Sequence, residues 1–364
     1  MDESRLLRPH LPSIGEPLAS VASAKPGALP SIMLTGVGKR YDIVSCFAAL
    51  TTVVAVDPNP LAPAQYAAQV RASAPSIDDA RYVPELARLC AEHGVAAVLP
   101  LTDLDIETLA RAREQDVLPA LVPASEVARA TYDKYQAHLL LESLGLPSPP
   151  TALPEADLDE LHYPVMVKPR QGSGARSIHL ARDSAQARFF VEYVEEPTMV
   201  QRAMNGPELS IDCLGDLDGN CLNAIPRTML ESRGGESIKG TVIDDPELVR
   251  LGQKVMEALS VRGPATIQVF RDPELGVRIT DVNTRFGGAF AAPALAALPG
   301  RSYPELIARM AAGRSVAPHV GEYRRDVTFT RYYWQLELDT HLEPTGKDIT
   351  TGGPPPPRCK NGEP

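Results

Sequence analysis

A chain of 364 residues, 44% of them hydrophobic, can bury two or three cores of its own. A net charge of -10, with no lysine- or arginine-rich run, argues against a nucleic-acid surface but leaves room for a local positive pocket. No apolar run approaches a membrane span and no signal-type stretch opens the chain, so a cytoplasmic protein with no membrane partner is expected. The five cysteines (Cys46, Cys90, Cys213, Cys221, Cys359) have no paired metal spacing, which predicts reduced thiols.

Residues 1–30 mix Pro, Ser, Ala and charges without periodicity and read as a flexible arm. Order is expected from the apolar strand and glycine turn at 31–39, followed by a buried strand at 50–57. A helix over 82–93, a strand over 95–100, a helix over 105–114 and a strand over 117–122 continue the alternation. Strands alternating with helices predict a doubly wound parallel sheet over 31–124. A helix over 133–144 stops at Gly145 before a run of prolines. Beyond it the pattern changes. Strands are expected at 164–168, 177–181, 198–203, 208–214 and 221–228, with a hairpin turn over Asp216–Asn220. Helices are expected at 184–193 and 245–259, a strand pair at 266–271 and 277–282, a helix at 304–312 and a closing strand at 328–338. The tail over 341–364, with four consecutive prolines, reads as disordered or polyproline-like.

Two stretches carry the chemistry. Val165-Met-Val-Lys-Pro-Arg-Gln-Gly-Ser-Gly174 reads as a strand that delivers Lys168 beside a glycine-rich turn. Polyphosphate needs such a pairing, one fixed cation with backbone N–H groups that can approach closely. An ammonium in an apolar strand is expensive without a partner, and a phosphate supplies one. Farther along, Ile279-Thr-Asp-Val-Asn-Thr-Arg285 places Asp281 and Asn283 two apart on a strand, on one face. Hard cations take oxygen ligands and sit between one or two carboxylates and substrate phosphates. The Gly36-Val-Gly38 turn, with Asp57 about twenty residues on, suggests a dinucleotide fingerprint, but Tyr41 occupies the third glycine position. A P-loop fails too, because Arg40 follows Lys39. The Asp216–Asn220 turn lacks the bidentate glutamate of a calcium loop, since Arg227 stands there.

Together these stretches resemble the ATP-grasp superfamily, and within it ligases related to the carbamoyl-phosphate synthase large subunit. The resemblance covers about residues 31–338. It implies an α/β chain, α+β overall, in which a doubly wound pre-ATP-grasp domain (31–124) precedes a two-lobed ATP-grasp domain (125–340, small lobe about 150–203). ATP and Mg²⁺ or Mn²⁺ are the implied cofactors. By the same resemblance Lys134 and Lys168 meet ATP phosphates, and Gly172, Ser173 and Gly174 form a loop over them. The segment Gln201, Arg202 and Ala203 would pair with the adenine edge, and Glu208 would hold the ribose. Gln268, Asp281 and Asn283 would hold the metal, with aspartate where the commoner pattern has glutamate. Arg285 would face the transferred phosphate or the substrate carboxylate, and Arg227 and Lys239 would lie on a substrate-side loop.

Such a site would move the γ-phosphoryl of ATP onto a carboxylate, making an acyl phosphate that an amine attacks. The expected activity is an ADP-forming carboxylate–amine ligase acting on small molecules, a homodimer being compatible with it. Two alternatives stand beside it: a bicarbonate-phosphorylating enzyme, and a non-catalytic nucleotide-binding protein suggested by Asp281 in place of glutamate. A buried Asp281 paired with a nearby arginine, such as Arg285, is the structural alternative for the metal shelf. Asp103, Asp105 and Glu107, after the 95–100 strand, either hold an amine or act as favourable acids at a helix start, and the helix role is the expected one.

Overall fold

The computed structural model describes residues 29–345 apart from 173–176, 234–235, 289–290, 296 and 333–334, with backbone alone at 233 and 236. Four strands open it: β1 (Ser31–Thr35), β2 (Val53–Val56), β3 (Val70–Ala72) and β4 (Val95–Pro100). They pair in parallel in the order β3-β2-β1-β4. Alternate residues enter different cores. Ile32, Leu34, Val53 and Ala55 pack with Ile43, Val44 and Phe47 of α1 (Tyr41–Ala48). Met33, Val54, Val56 and Val98 pack with Leu86 and Leu89 of α2 (Tyr82–His93) and Leu109 of α3 (Ile106–Glu114). Helices on both faces explain why these strands are nearly continuous apolar runs.

The helices α4 (Ser125–Tyr132) and α5 (Lys134–Ser143) lead into a small antiparallel sheet. Its strands are β5 (Thr151–Ala152), β6 (Val165–Pro169), β7 (His179–Ala181) and, after α6 (Ser184–Tyr193), β8 (Thr198–Arg202), in the order β5-β8-β6-β7. Val165, Val167, Ala187 and Val200 form its core, so one face of β6 is apolar and Lys168 is on the other. The larger lobe follows with β9 (Glu208–Gly215), β10 (Cys221–Thr228), β11 (Glu231–Arg233), β12 (Glu236–Thr241) and α7 (Pro246–Ala258). It closes with β13 (Gly263–Asp272), β14 (Gly276–Asn283), α8 (Ala292–Leu295), α9 (Tyr303–Ala311) and β15 (Thr328–Thr330). The main sheet runs β10-β9-β13-β14, and β11-β12-β15 forms a separate small one.

Several sequence expectations are corrected. Residues 117–122 make one bridge, Val98 to Ala120, in place of a strand. The closing strand ends at Thr330. α1, β3 and α4 were not anticipated. The described start of the tail is ordered: residues 341–345 turn back onto 337–339, and Arg71 donates to Leu342 O and pairs with Glu343. Cys90, Cys213 and Cys221 are free thiols, as expected, but Cys46 is disulfide-bonded.

The first core is shared between the two halves of the chain. Phe47 and Leu99 of the parallel sheet domain lie in the same cluster as Leu214, Leu222, Phe286 and Tyr303 of the larger lobe. Phe286 meets Phe47 edge-on, centroids 6.1 Å apart and planes at 78°, an arrangement aromatic pairs favour. Because Phe286 follows Arg285 directly, this packing fixes that arginine against the N-terminal domain. Phe286→Ala should therefore lower the unfolding free energy by about 3–5 kcal/mol. Urea denaturation measures this, and a loss below about 1 kcal/mol would show that the two halves do not share a core.

Candidate active site

Lys168 is the anchor. Its side chain leaves the polar face of β6, is 9% exposed, and donates from Nζ to Gln201 Oε1 of β8 at 2.9 Å. Gln201 is held in turn by donating from Nε2 to Thr151 Oγ1 at 2.9 Å. A neutral amide does not neutralise an ammonium. Burial accordingly pulls the Lys168 pKa down to about 8, against the attraction of the Asp281 and Glu208 carboxylates. Burial also raises the Glu208 pKa, with Arg227 opposing.

Lys134 approaches from α5. Asp133 caps that helix, its Oδ1 accepting from the N–H groups of Tyr135 at 2.9 Å and Gln136 at 3.2 Å. Arg170, just after β6, pairs with Asp133 at 2.6 Å, and Lys134 N donates to Arg170 O at 2.8 Å. The helix start is thus tied to the end of β6. Lys134 Nζ donates to Gly172 O at 2.7 Å. Ser173 and Gly174 lie outside the described residues.

The opposite wall is β14, where a bulge aims the side chains. Gln268 of β13 faces Asp281, but the next residue, Val269, faces Ile279, leaving Thr280 as the extra residue. The phase of the strand changes there. Val277 and Ile279 before the bulge, and Val282 after it, enter the core, while Asp281 and Asn283 turn to the open side. Without the bulge, 277, 279, 281 and 283 would share one face.

One cavity of about 140 Å³ collects these groups: Lys134, Gly172, Asp281 and Asn283 line it, with Asp103 and Tyr132. The oxygens of Asp281, Asn283 and Gln268 are one carboxylate and two amides. That donor set fits a hard cation shared with substrate phosphates but, among the described residues, includes no cluster of three acidic, histidine or cysteine ligands.

Arg285 is 8% exposed. Its Nη2 donates to Asp103 Oδ2 at 2.7 Å and to Asn283 Oδ1 at 3.0 Å, and its Nη1 to Phe286 O at 2.9 Å. It does not pair with Asp281, so the structural alternative for that aspartate falls. Asp103 is not a free acid at a helix start either. It crosses 182 positions of sequence to reach Arg285. Asp105 is fully buried, accepting from Thr35 Oγ1 and Tyr82 OH at 2.7 Å each, and Glu107 pairs with Arg111 along α3.

Other expected residues do not line this cavity and have partners of their own. The N–H groups of Arg202 and Ala203 donate to Pro150 O at 2.9 Å and Pro164 O at 3.0 Å. Arg202 pairs with Glu274, and Lys239 with Glu231 at 2.5 Å on the half-exposed β11–β12 hairpin. Arg227 is 2% exposed, its Nε donating to Asp212 Oδ2 at 2.8 Å. Asp212 also accepts from Thr266 Oγ1 at 3.1 Å.

A family model described as "PylC-like, N-terminal domain" matches residues 32–118, and one described as "ATP-grasp in the biosynthetic pathway with Ter operon" matches 194–332. The chain belongs to the ATP-grasp superfamily. Among curated ATP-grasp relatives, a D-alanine–D-alanine ligase of Actinobacillus succinogenes is 27% identical, over 54% of this chain and 72% of its own. A section of the carbamoyl phosphate synthase large chain of Methanopyrus kandleri is 26% identical over 49% of this chain. The chain spans 39% of that section, and 32% of a D-alanine–D-alanine ligase from Leptospira biflexa that is 28% identical over 28% of this chain. Among solved folds, an L-amino acid ligase from Bacillus licheniformis superposes with a TM-score of 0.63 at 19% identity, over 85% of this chain and 82% of that one. The biotin carboxylase domain dimer of Hydrogenobacter thermophilus 2-oxoglutarate carboxylase, solved with MgADP, ADP and bicarbonate, gives 0.65 at 19% identity, over 83% and 73%.

Two predictions follow from the geometry. As the phosphate cation expected from the sequence, Lys168 would bind in its charged form, and burial brings its pKa in the free protein down to about 8. Affinity for ATP measured by calorimetry should therefore be full below that pH and fall as pH rises through it, with proton uptake on binding near pH 8. A flat profile with no proton uptake would exclude Lys168 as the phosphate cation. Separately, Arg227→Met leaves Asp212 buried without its ion-pair partner and should cost about 3–5 kcal/mol of stability. Denaturant melts that overlay the parent's would place Arg227 outside the framework.

Proposed function

We propose that this ATP-grasp chain is an ADP-forming carboxylate–amine ligase that activates a small carboxylic or amino acid. The observation that carries the reading is the single cavity uniting Lys134 and Gly172 with Asp281 and Asn283 across more than a hundred residues of sequence. In this reading Lys168, Lys134 and the segment Gly172, Ser173 and Gly174 bind the triphosphate. The hinge segment Gln201–Ala203 and Glu208 hold the nucleoside. Gln268, Asp281 and Asn283 hold magnesium or manganese, which when bound offsets phosphate charge.

The carboxylate oxygen attacks the γ-phosphorus, the bond to the β-phosphate oxygen breaks, and ADP departs with that electron pair. The amine then attacks the acyl carbon and inorganic phosphate leaves with the C–O electrons, the amine's surplus proton passing to phosphate or water. The protein's part is positioning and charge neutralisation, with Arg285 facing the carboxylate or the phosphoryl group in transfer. Its planar fork suits either. Arg227 contributes from beneath, through its field on Glu208, and Lys239 from the β11–β12 hairpin. The Actinobacillus and Bacillus ligases support the reaction class, and the Hydrogenobacter domain dimer supports a homodimer. No helix among the described residues is long and apolar enough to cross a membrane.

The test is nucleotide release with pooled carboxylic and amino acids, Mg²⁺ and ATP. Acid-dependent ADP formation, with hydroxylamine trapping a hydroxamate, is expected. AMP and pyrophosphate would indicate adenylation and sink the phosphoryl-transfer chemistry. ADP released by bicarbonate alone would favour the carboxyphosphate-forming alternative.

A further inference from the structure

The ligase reading leaves the class of acid open, and the Asp103–Arg285 pair bears on it. Asp103 stands just past β4, at the carboxyl end of the parallel sheet, where open α/β sheets present ligand groups. Its side chain is 25% exposed against 9% for Arg285, and it lines the cavity that holds Asp281 and Asn283. Arg285 retains a buried Nε with no hydrogen-bond partner. A buried donor left unmade costs about 1–3 kcal/mol unless a ligand or water completes it. A second guanidinium is close by. A Cβ built on Gly288 would lie in ordinary contact with both, 3.4 Å from Arg40 Nη2 and 3.8 Å from Arg285 Nη1.

We infer that Asp103 and Arg285 recognise a zwitterion, so that the acid taken by the proposed ligase is an α-amino acid. The inference rests on the ligase reading. In the free protein the two side chains neutralise each other at 2.7 Å. A bound amino acid exchanges that contact for two: its carboxylate meets the guanidinium of Arg285, with Arg40 flanking, and its ammonium meets the carboxylate released from Arg285. The exchange leaves no charge unpaired on either side. A carboxylic acid lacking the amine would meet Arg285 and leave Asp103 without a cation, and a site built for a polar group rejects the analogue that lacks it. Asp281 is a poor alternative for the ammonium, because it stands across from Gln268 in the sheet and its charge already attracts the buried Lys168.

The test compares ADP release driven by amino acids with that driven by their des-amino counterparts, in the parent chain and in Asp103→Asn and Asp103→Ala. The parent should prefer the amino form by at least about tenfold in kcat/KM. Both variants should raise KM for the amino acid by about tenfold or more while changing the des-amino acid little, collapsing the preference. A merely structural salt bridge would lower both substrates alike, which is why the ratio is read. An undiminished preference in both variants, or a parent that prefers des-amino acids, overturns the inference and leaves the ligase reading standing. Failure of every carboxylic acid to elicit ADP overturns both.

Discussion

A buried ammonium is the constraint on which this site depends. Taking Lys168 out of water costs several kcal/mol unless an anion compensates, and its hydrogen bond goes to the neutral amide of Gln201. The nearby carboxylates, Asp281 and Glu208, attract it without forming an ion pair among the described residues. The small lobe therefore carries stored, uncompensated positive charge at the cleft. Phosphate is the ligand chemistry that such a charge rewards, and strain of this kind is commonly kept where function needs it.

Positioning follows from how the lobes are joined. The small lobe contributes its cation from a strand whose apolar face is locked in its own core. The larger lobe contributes its oxygens from β14, where one extra residue changes the facing of the strand. The N-terminal domain contributes Asp103, and the core around Phe47 and Phe286 fixes its distance to Arg285. Gly172 of the small lobe, Asp281 and Asn283 of the larger lobe and Asp103 of the N-terminal domain thus line one small cavity, and Asp133 at the α5 start is tied to the small lobe through Arg170.

Much of this was legible in the sequence because local pattern and global fold agree. Alternation marked β6, β9 and β10, and glycine or proline punctuation marked where α2 and α5 end. Lys168 and the Asp281–Asn283 pair stood out as polar residues in apolar strands. The change of apolar phase from Val277 and Ile279 to Val282 was already visible, although only the paired register reveals the bulge that resolves it. What the sequence hid is long-range. Asp103 has the local signature of a helix-start acid, and only folding shows its partner 182 positions away. Residues 117–122 have strand composition, but only Ala120 finds a bridge at the sheet edge. The short α1 gave too little periodicity to separate from its loop.

The most direct measurement is a crystal structure with Mg²⁺ and a non-hydrolysable ATP analogue. The account predicts the triphosphate between Lys134 and Lys168, with the metal between the phosphates and the Asp281 and Asn283 oxygens. A nucleotide seated instead at the Gly36-Val-Gly38 turn, with Lys168 still bonded only to Gln201, would contradict it.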